Sequence, residues 1–249
     1  MKFYVTIVLA LSFAAQTFAQ ELNGEIIYNR KTNYIAIMSR LPYLTTEDID
    51  RAKLTWGSWD DEDNKGEDYL YFFNNGKTLY TKKEKEADGN YSWSSEKFFL
   101  LRDYKKNTVQ DFKETLGKKY LIEDELPKFK WKILNEIKEI EGYLCMKAET
   151  YDASKDQIIH AWFADGILFS GGPEGYAGLP GMILELNINN GDAIITASKI
   201  TLTPEQVKLP LPKKMKGKKM TISEFDQLVS TYIADSIEAE RNPYWRIRY

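Results

Sequence analysis

Hydrophobic and polar residues alternate with period two along much of the chain. In FKWKI, Phe129, Trp131 and Ile133 share one face and Lys130 and Lys132 the other. In MILELNI, Met182, Leu184, Leu186 and Ile188 line one face, with Glu185 and Asn187 opposite. Tyr143 to Thr150 behaves similarly, with Leu144, Met146 and Ala148 on one side and Cys145 on the other, beside Tyr143 and Lys147. This spacing predicts strands that bury one side and wet the other. Asn75-Gly76 lies between DYLYFF and KTLYT, and Asn190-Gly191 between MILELNI and DAIITASKI. Asn-Gly accepts the positive φ angles of a type I′ turn, so both pairs predict tips of antiparallel hairpins. Asp88-Gly89 marks a further turn.

Helical spacing is rarer. Thr46 to Lys53 predicts a short helix. A stronger signal starts at Thr221, where Glu224 completes a capping box. Ile222, Phe225, Leu228, Val229, Tyr232, Ile233 and Ile237 follow on one stripe, which should pack on the sheet. Just upstream, Lys208 to Lys219 holds six lysines with Pro210 and Pro212. The prolines exclude a regular interior, and the segment reads as a loop. The expected architecture is a single α+β domain, mainly β. It would be a curved antiparallel sheet, a half-open barrel similar to periplasmic lipoprotein carriers, with the C-terminal amphipathic helix covering part of it.

Composition narrows the class. The chain has 249 residues, 43% of them hydrophobic, which is enough for a real core and argues against disorder. With 34 Lys+Arg against 37 Asp+Glu there is no concentrated basic surface, so nucleic acid is not an expected partner. The first nineteen residues join Lys2 to an apolar run and end in small residues at Thr17 and Ala19. They predict a secretory signal peptide, leaving residues 20–249 as one exported, periplasmic domain that does not span the membrane.

Catalytic chemistry is sparse. One His and one Cys exclude an internal disulfide and fall short of a zinc ligand set, so no metal or cofactor is expected. Cys145 and His160 could form a thiol dyad if their strands were neighbours. A core thiol and a strand histidine are the plainer reading. Asp and Glu are plentiful, but sequence alone does not pair them into an acid/base couple. No residue is therefore assigned a catalytic role.

Two segments stand out. GGPEGYAGLPG carries Gly171, Gly172, Pro173, Gly178, Leu179, Pro180 and Gly181. It lacks the Gly-Lys-Ser/Thr of a phosphate loop, and a strand pattern follows it instead of a helix. It is expected to be an ordered passage feeding the strand at Met182, with Leu179 inserted in the core; an exposed recognition loop is the alternative. In the lysine run, Lys213, Lys214, Lys216, Lys218 and Lys219 read as a solvated linker or as contacts to an anionic surface.

At GPEGYAGLPGMILEL the chain resembles the GLPGLI family of exported Bacteroidota proteins. Gly178-Leu179-Pro180-Gly181-Met182-Ile183 stands in the family motif, with Met182 in place of Leu. Trp131, Ile140, Gly142, Tyr143, Cys145 and Ala148, followed by HAWFAD, extend the likeness, which is dense over residues 129–188. The resemblance implies envelope work beside TonB-dependent outer-membrane receptors and supplies no catalytic residue. The resulting expectation is a non-enzymatic binding or accessory protein, engaging a hydrophobic ligand or an outer-membrane receptor or other envelope protein. The alternative is an envelope hydrolase using carboxylates or the Cys145/His160 pair.

Overall fold

The computed structural model describes residues 22–56, 65–84, 97–212 and 214–249. The signal-peptide segment 1–19, the Asp88-Gly89 turn and Lys213 lie outside the described residues. Within the described residues twelve strands form one sheet: β1 (Asn23–Thr32), β2 (Glu67–Asn74), β3 (Lys77–Lys82), β4 (Phe98–Asp103), β5 (Thr108–Thr115), β6 (Lys118–Glu125), β7 (Lys132–Ile140), β8 (Tyr143–Asp152), β9 (Gln157–Ala164), β10 (Met182–Ile188), β11 (Ala193–Thr203) and β12 (Lys218–Met220). Among the described residues three α-helices accompany them: α1 (Tyr34–Met38), α2 (Thr46–Trp56) and α3 (Ile222–Glu238). The spatial order is β12-β6-β5-β4-β3-β2-β1-β11-β10-β9-β8-β7, and the sheet does not close on itself. Every pairing is antiparallel except β12 beside β6. The fold is thus mainly β, with one antiparallel-dominated sheet and a C-terminal helix.

Turn chemistry builds the meander. Asn75 and Gly76 have φ of 52° and 77°, as a type I′ turn requires. Leu116-Gly117 and Glu141-Gly142 also have positive φ at both positions, although their first residues are not the amides that usually signal this turn. At the tip of β10–β11 the turn is wider than expected. Four residues separate Ile188 from its partner Ala193, and Asn189, Asn190 and Gly191 all have positive φ.

One core draws on both halves of the sheet, joining Ile26, Tyr28, Tyr71, Phe73 and Tyr80 to Ile159, Phe163, Ile183 and Leu186. Tyr28 donates its buried hydroxyl to the Ile183 carbonyl at 2.6 Å, tying β1 to β10. A second cluster sets Phe225 and Val229 of α3 on Tyr120 and Ile122 of β6. The capping box of α3 is complete: the Thr221 hydroxyl accepts from Glu224 N, and Glu224 accepts from Thr221 N at 2.7 Å. Among the described residues no helix is long and apolar enough to cross a membrane.

Three strand readings need correction. FKWKI is not a half-buried strand, because β7 starts only at Lys132 and Ile133 is 56% exposed at the sheet edge. On β8 Cys145 is buried and Leu144 is 63% exposed, the reverse of expectation at the start of the strand, whereas Ala148 is buried as expected. β10 is buried on both faces, because it is a central strand; Glu185 is tolerated there by Lys138 at 2.6 Å and the Thr196 hydroxyl at 3.0 Å. The lysine loop also ends early, since Lys218 and Lys219 belong to β12.

Candidate functional site

Between β9 and β10 the chain leaves the sheet and crosses its face. Gly171, Gly172 and Pro173 are buried along this path, Gly178 and Pro180 are exposed, and Leu179 is 3% exposed within the main core. The segment is hydrogen-bonded into place: Ile183 N donates to the Gly171 carbonyl at 2.8 Å, and Trp131 Nε1 to the Ala177 carbonyl at 2.8 Å. At Gly181 a Cβ would lie 2.1 Å from the Ala164 carbonyl oxygen, so only glycine lets β10 start against the end of β9. The expected ordered passage with an inserted leucine is what the structure contains.

The same crossing carries a feature that sequence reasoning missed. Glu174, at φ 56°, points its carboxylate at residues far away in sequence. Arg248 holds both carboxylate oxygens, from Nη2 and from Nε at 3.1 Å, while its Nη1 donates to the Tyr69 hydroxyl at 2.8 Å. Arg30 adds Nη1 at 3.3 Å and Tyr80 its hydroxyl at 3.2 Å. The Arg248 guanidinium also stacks over the rings of Tyr69 and Phe98, 4.4 and 4.8 Å from their centroids. Burial pushes the Glu174 carboxyl up, but Arg248 and Arg30 outweigh it and hold its pKa at about 2. Burial raises Tyr69 to about 12. Next door, at Gly175, an added Cβ would sit 2.5 Å from Arg102 Nη2; its bare backbone leaves room for the buried Arg102–Asp111 pair.

These groups border an open cleft of about 1460 Å³ between the sheet, α3 and the chain's last residues. Its lining holds both rings and charges: Tyr69, Phe98, Phe129, Tyr176 and Phe225 with Lys113, Asp152, Lys155, Glu174, Asp226 and Arg248. Phe129 and Tyr176 lie 4.8 Å apart between ring centroids and form part of the lining. The β8–β9 turn supplies Asp152, which accepts from Ser154 N at 2.9 Å, the Ser154 hydroxyl at 2.7 Å and the Tyr176 hydroxyl at 3.4 Å. Burial raises the pKa of Asp226 on α3, and Asp152 adds to the rise.

The proposed thiol dyad does not form. The β8–β9 register sets His160 opposite Glu149, with Nε2 3.0 Å from its carboxylate, whereas Met146 pairs with Phe163. Cys145 therefore lies about four residues, on the order of 13 Å, along the strand from the histidine's partner. Its thiol is fully buried, and burial pushes its pKa up to about 11. An inert core thiol follows. Among the described residues no group of three or more His, Cys, Asp or Glu is placed to hold a metal. Of the lysine run, Lys214, Lys216, Lys218 and Lys219 are exposed and none lines the cleft, and Lys219 is engaged by Glu123 at 2.7 Å.

Two solved structures, described as PNGF-II in the C2 and P21 space groups, share this fold with TM-scores of 0.50 and 0.53. Each is 17% identical and is matched over 84% of this chain. This chain spans only about a third of their length, 32% and 33%. No curated protein matches it. A family model described as the N-glycanase peptide, N-terminal domain matches residues 55–232. That match covers every strand but β1 and the first two-thirds of α3, and the chain belongs to this N-glycanase N-terminal domain family.

Proposed function

We propose that this chain is an exported, non-enzymatic binding domain of the cell envelope that holds a glycan-bearing ligand in the cleft beside α3. The carrying observation is the lining of that cleft, which combines aromatic rings with charged hydrogen-bonding groups. Sugars present apolar faces that stack on rings and hydroxyls that bond carboxylates and ammonium groups. A purely hydrophobic ligand would leave those charges unsolvated, so the ligand is amphipathic. The family's description as part of an N-glycanase supports the glycan chemistry. The leader-like residues 1–19 support a periplasmic address, and Gly178–Ile183 supports kinship with the GLPGLI family. In this reading the open sheet curves as a half-open barrel around the cleft, as in periplasmic lipoprotein carriers.

A second reading, docking to an outer-membrane receptor, is favoured by one observation. Ile137 and Leu144 on the β7–β8 hairpin are 67% and 63% exposed beside the sheet edge. Isothermal titration with a neutral N-glycan released from a glycoprotein tests the first reading. Saturable binding that weakens in Tyr176→Ala is expected. No heat of binding, together with recovery of an outer-membrane receptor in an envelope pull-down, would replace it with the second.

A further inference from the structure

The β8–β9 turn brings two hydrogen-bond donors, Lys155 and Gln157, to one end of the cleft and leaves one of them without a partner. Gln157 is 2% exposed, lines the cleft, and its Nε2 has no partner. A buried amide N–H without an acceptor costs free energy that a ligand or water oxygen would recover. Lys155 lines the same end, and its Nζ makes one hydrogen bond, to the Arg248 carbonyl at 2.8 Å. Lys113 reaches in from β5, with its Nζ 4.6 Å above the Phe225 ring. Neither lysine forms an ion pair among the described residues. On the acceptor side, Asp152 is already occupied by Ser154 and Tyr176. The carboxylate of Asp226, on α3 across this end, has no hydrogen bond among the described residues. Behind this end, Arg30 and Arg248 share the carboxylate of Glu174, while Arg30 also donates to the Tyr249 backbone oxygen at 2.9 Å and Glu67 acts on Arg248. The Gln157 amide, and the ammonium groups of Lys155 and Lys113, thus keep donor capacity that no carboxylate at this end takes up through an ion pair.

We propose that this end of the cleft is a subsite for a carboxylate on the ligand, received by Lys155, Lys113 and the Gln157 amide. It rests on the cleft being a glycan site and adds that the preferred glycan is acidic. Asp226 remains for a ligand hydroxyl, and the Phe225 and Tyr176 rings for the sugar's apolar face. Burial pulls the Lys155 pKa down to about 8, against Asp152 and Glu174. The charged groups facing it are Asp152 on its own turn, Glu174 from the crossing, Arg30 from β1, Lys113 from β5, Arg248 from the chain's last residues and Asp226 from α3. Preference for an acidic ligand should therefore decline as pH rises through about 8, where Lys155 loses its charge.

The test is isothermal titration of the full chain near neutral pH and low salt with three probes. These are a sialylated N-glycan, the same glycan after desialylation, and free sialic acid. The sialylated glycan should bind about tenfold more tightly than the neutral one, as expected for a charged hydrogen bond. In Lys155→Met and in Lys113→Met that ratio should fall toward one. Lys155→Met also removes the bond to the Arg248 carbonyl, so thermal unfolding is measured alongside; Lys113→Met, which removes no hydrogen bond, decides if the first variant is unstable. Equal affinity for the two glycans overturns the subsite and leaves the cleft reading standing. Binding of free sialic acid that is lost in Lys113→Met, without binding of the neutral glycan, keeps the subsite and overturns the glycan reading. Silence toward all three overturns both.

Discussion

Leu179 and Glu174 lie within a few residues of each other on one crossing segment, yet they are anchored by opposite means. Leu179 is buried in the main core with Met182 and Ile183, and needs nothing from its neighbours beyond apolar contact. Glu174 is held by Arg248, Arg30 and Tyr80, residues 74, 144 and 94 positions away. The apolar end depends on shape and burial, which tolerate modest repacking. The charged end depends on neutralisation, so removing one member leaves the others stranded. Rigidity at the first end sets the start of β10, whereas the second shapes the wall of the cleft.

The sharpest way to break this comparison is Leu179→Asp. An unpaired carboxylate would then occupy a site without donors, and denaturant unfolding should show a loss of about 4 kcal/mol or more. Unchanged stability would mean that the crossing is not fixed by its leucine. Glu174→Gln comes next, at about 3 kcal/mol, because Arg30 and Arg248 would keep their charges without a counter-ion. A double variant in which Arg248→Met accompanies Glu174→Gln should recover part of that loss; strict additivity would deny the coupling.

Acid should separate the two ends without any change in volume. The Glu174 pKa is lowered in the fold to about 2, from an ordinary 4.5. Its contribution is therefore complete above about pH 4.5 and disappears as pH falls through 2. Urea midpoints measured down this range should fall more steeply for the natural chain than for Glu174→Gln. Parallel curves would show that the carboxylate is not held low. The smallest effect should come from Thr221→Ala, far from either anchor. Losing the α3 cap should cost about 1 kcal/mol and leave ligand binding untouched.

Legibility in the sequence followed how local each cause was. The tip at Asn75-Gly76, the Thr221–Glu224 cap and the inserted Leu179 each depend on residues a few positions apart, and each was readable. The turns at Leu116-Gly117 and Glu141-Gly142 went unread because their positive φ falls on residues that seldom adopt it. Alternation in MILELNI pointed Glu185 at solvent, since no pattern within β10 shows that Lys138 and Thr196 wait across neighbouring strands. The Glu174 cluster was invisible for the same reason on a larger scale. Its only local hints were one carboxylate isolated among glycines and the arginines of RNPYWRIRY.

The place of β1 in the sheet has a kinetic consequence. β2 to β6 and β7 to β11 each run as neighbours in chain order, and β1 joins them by pairing with β2 on one side and β11 on the other. The second pairing sets Asn23 opposite Thr203, which closes a loop spanning most of the polypeptide. Bringing such distant segments together carries an entropic cost before any contact repays it, and chains dominated by non-local pairing fold in about milliseconds to seconds. The seam is thus expected to form late, once β11 has left the ribosome. Until then a newly made chain would hold β2 to β6 and β7 to β11 as two separate meanders, joined only through the chain itself.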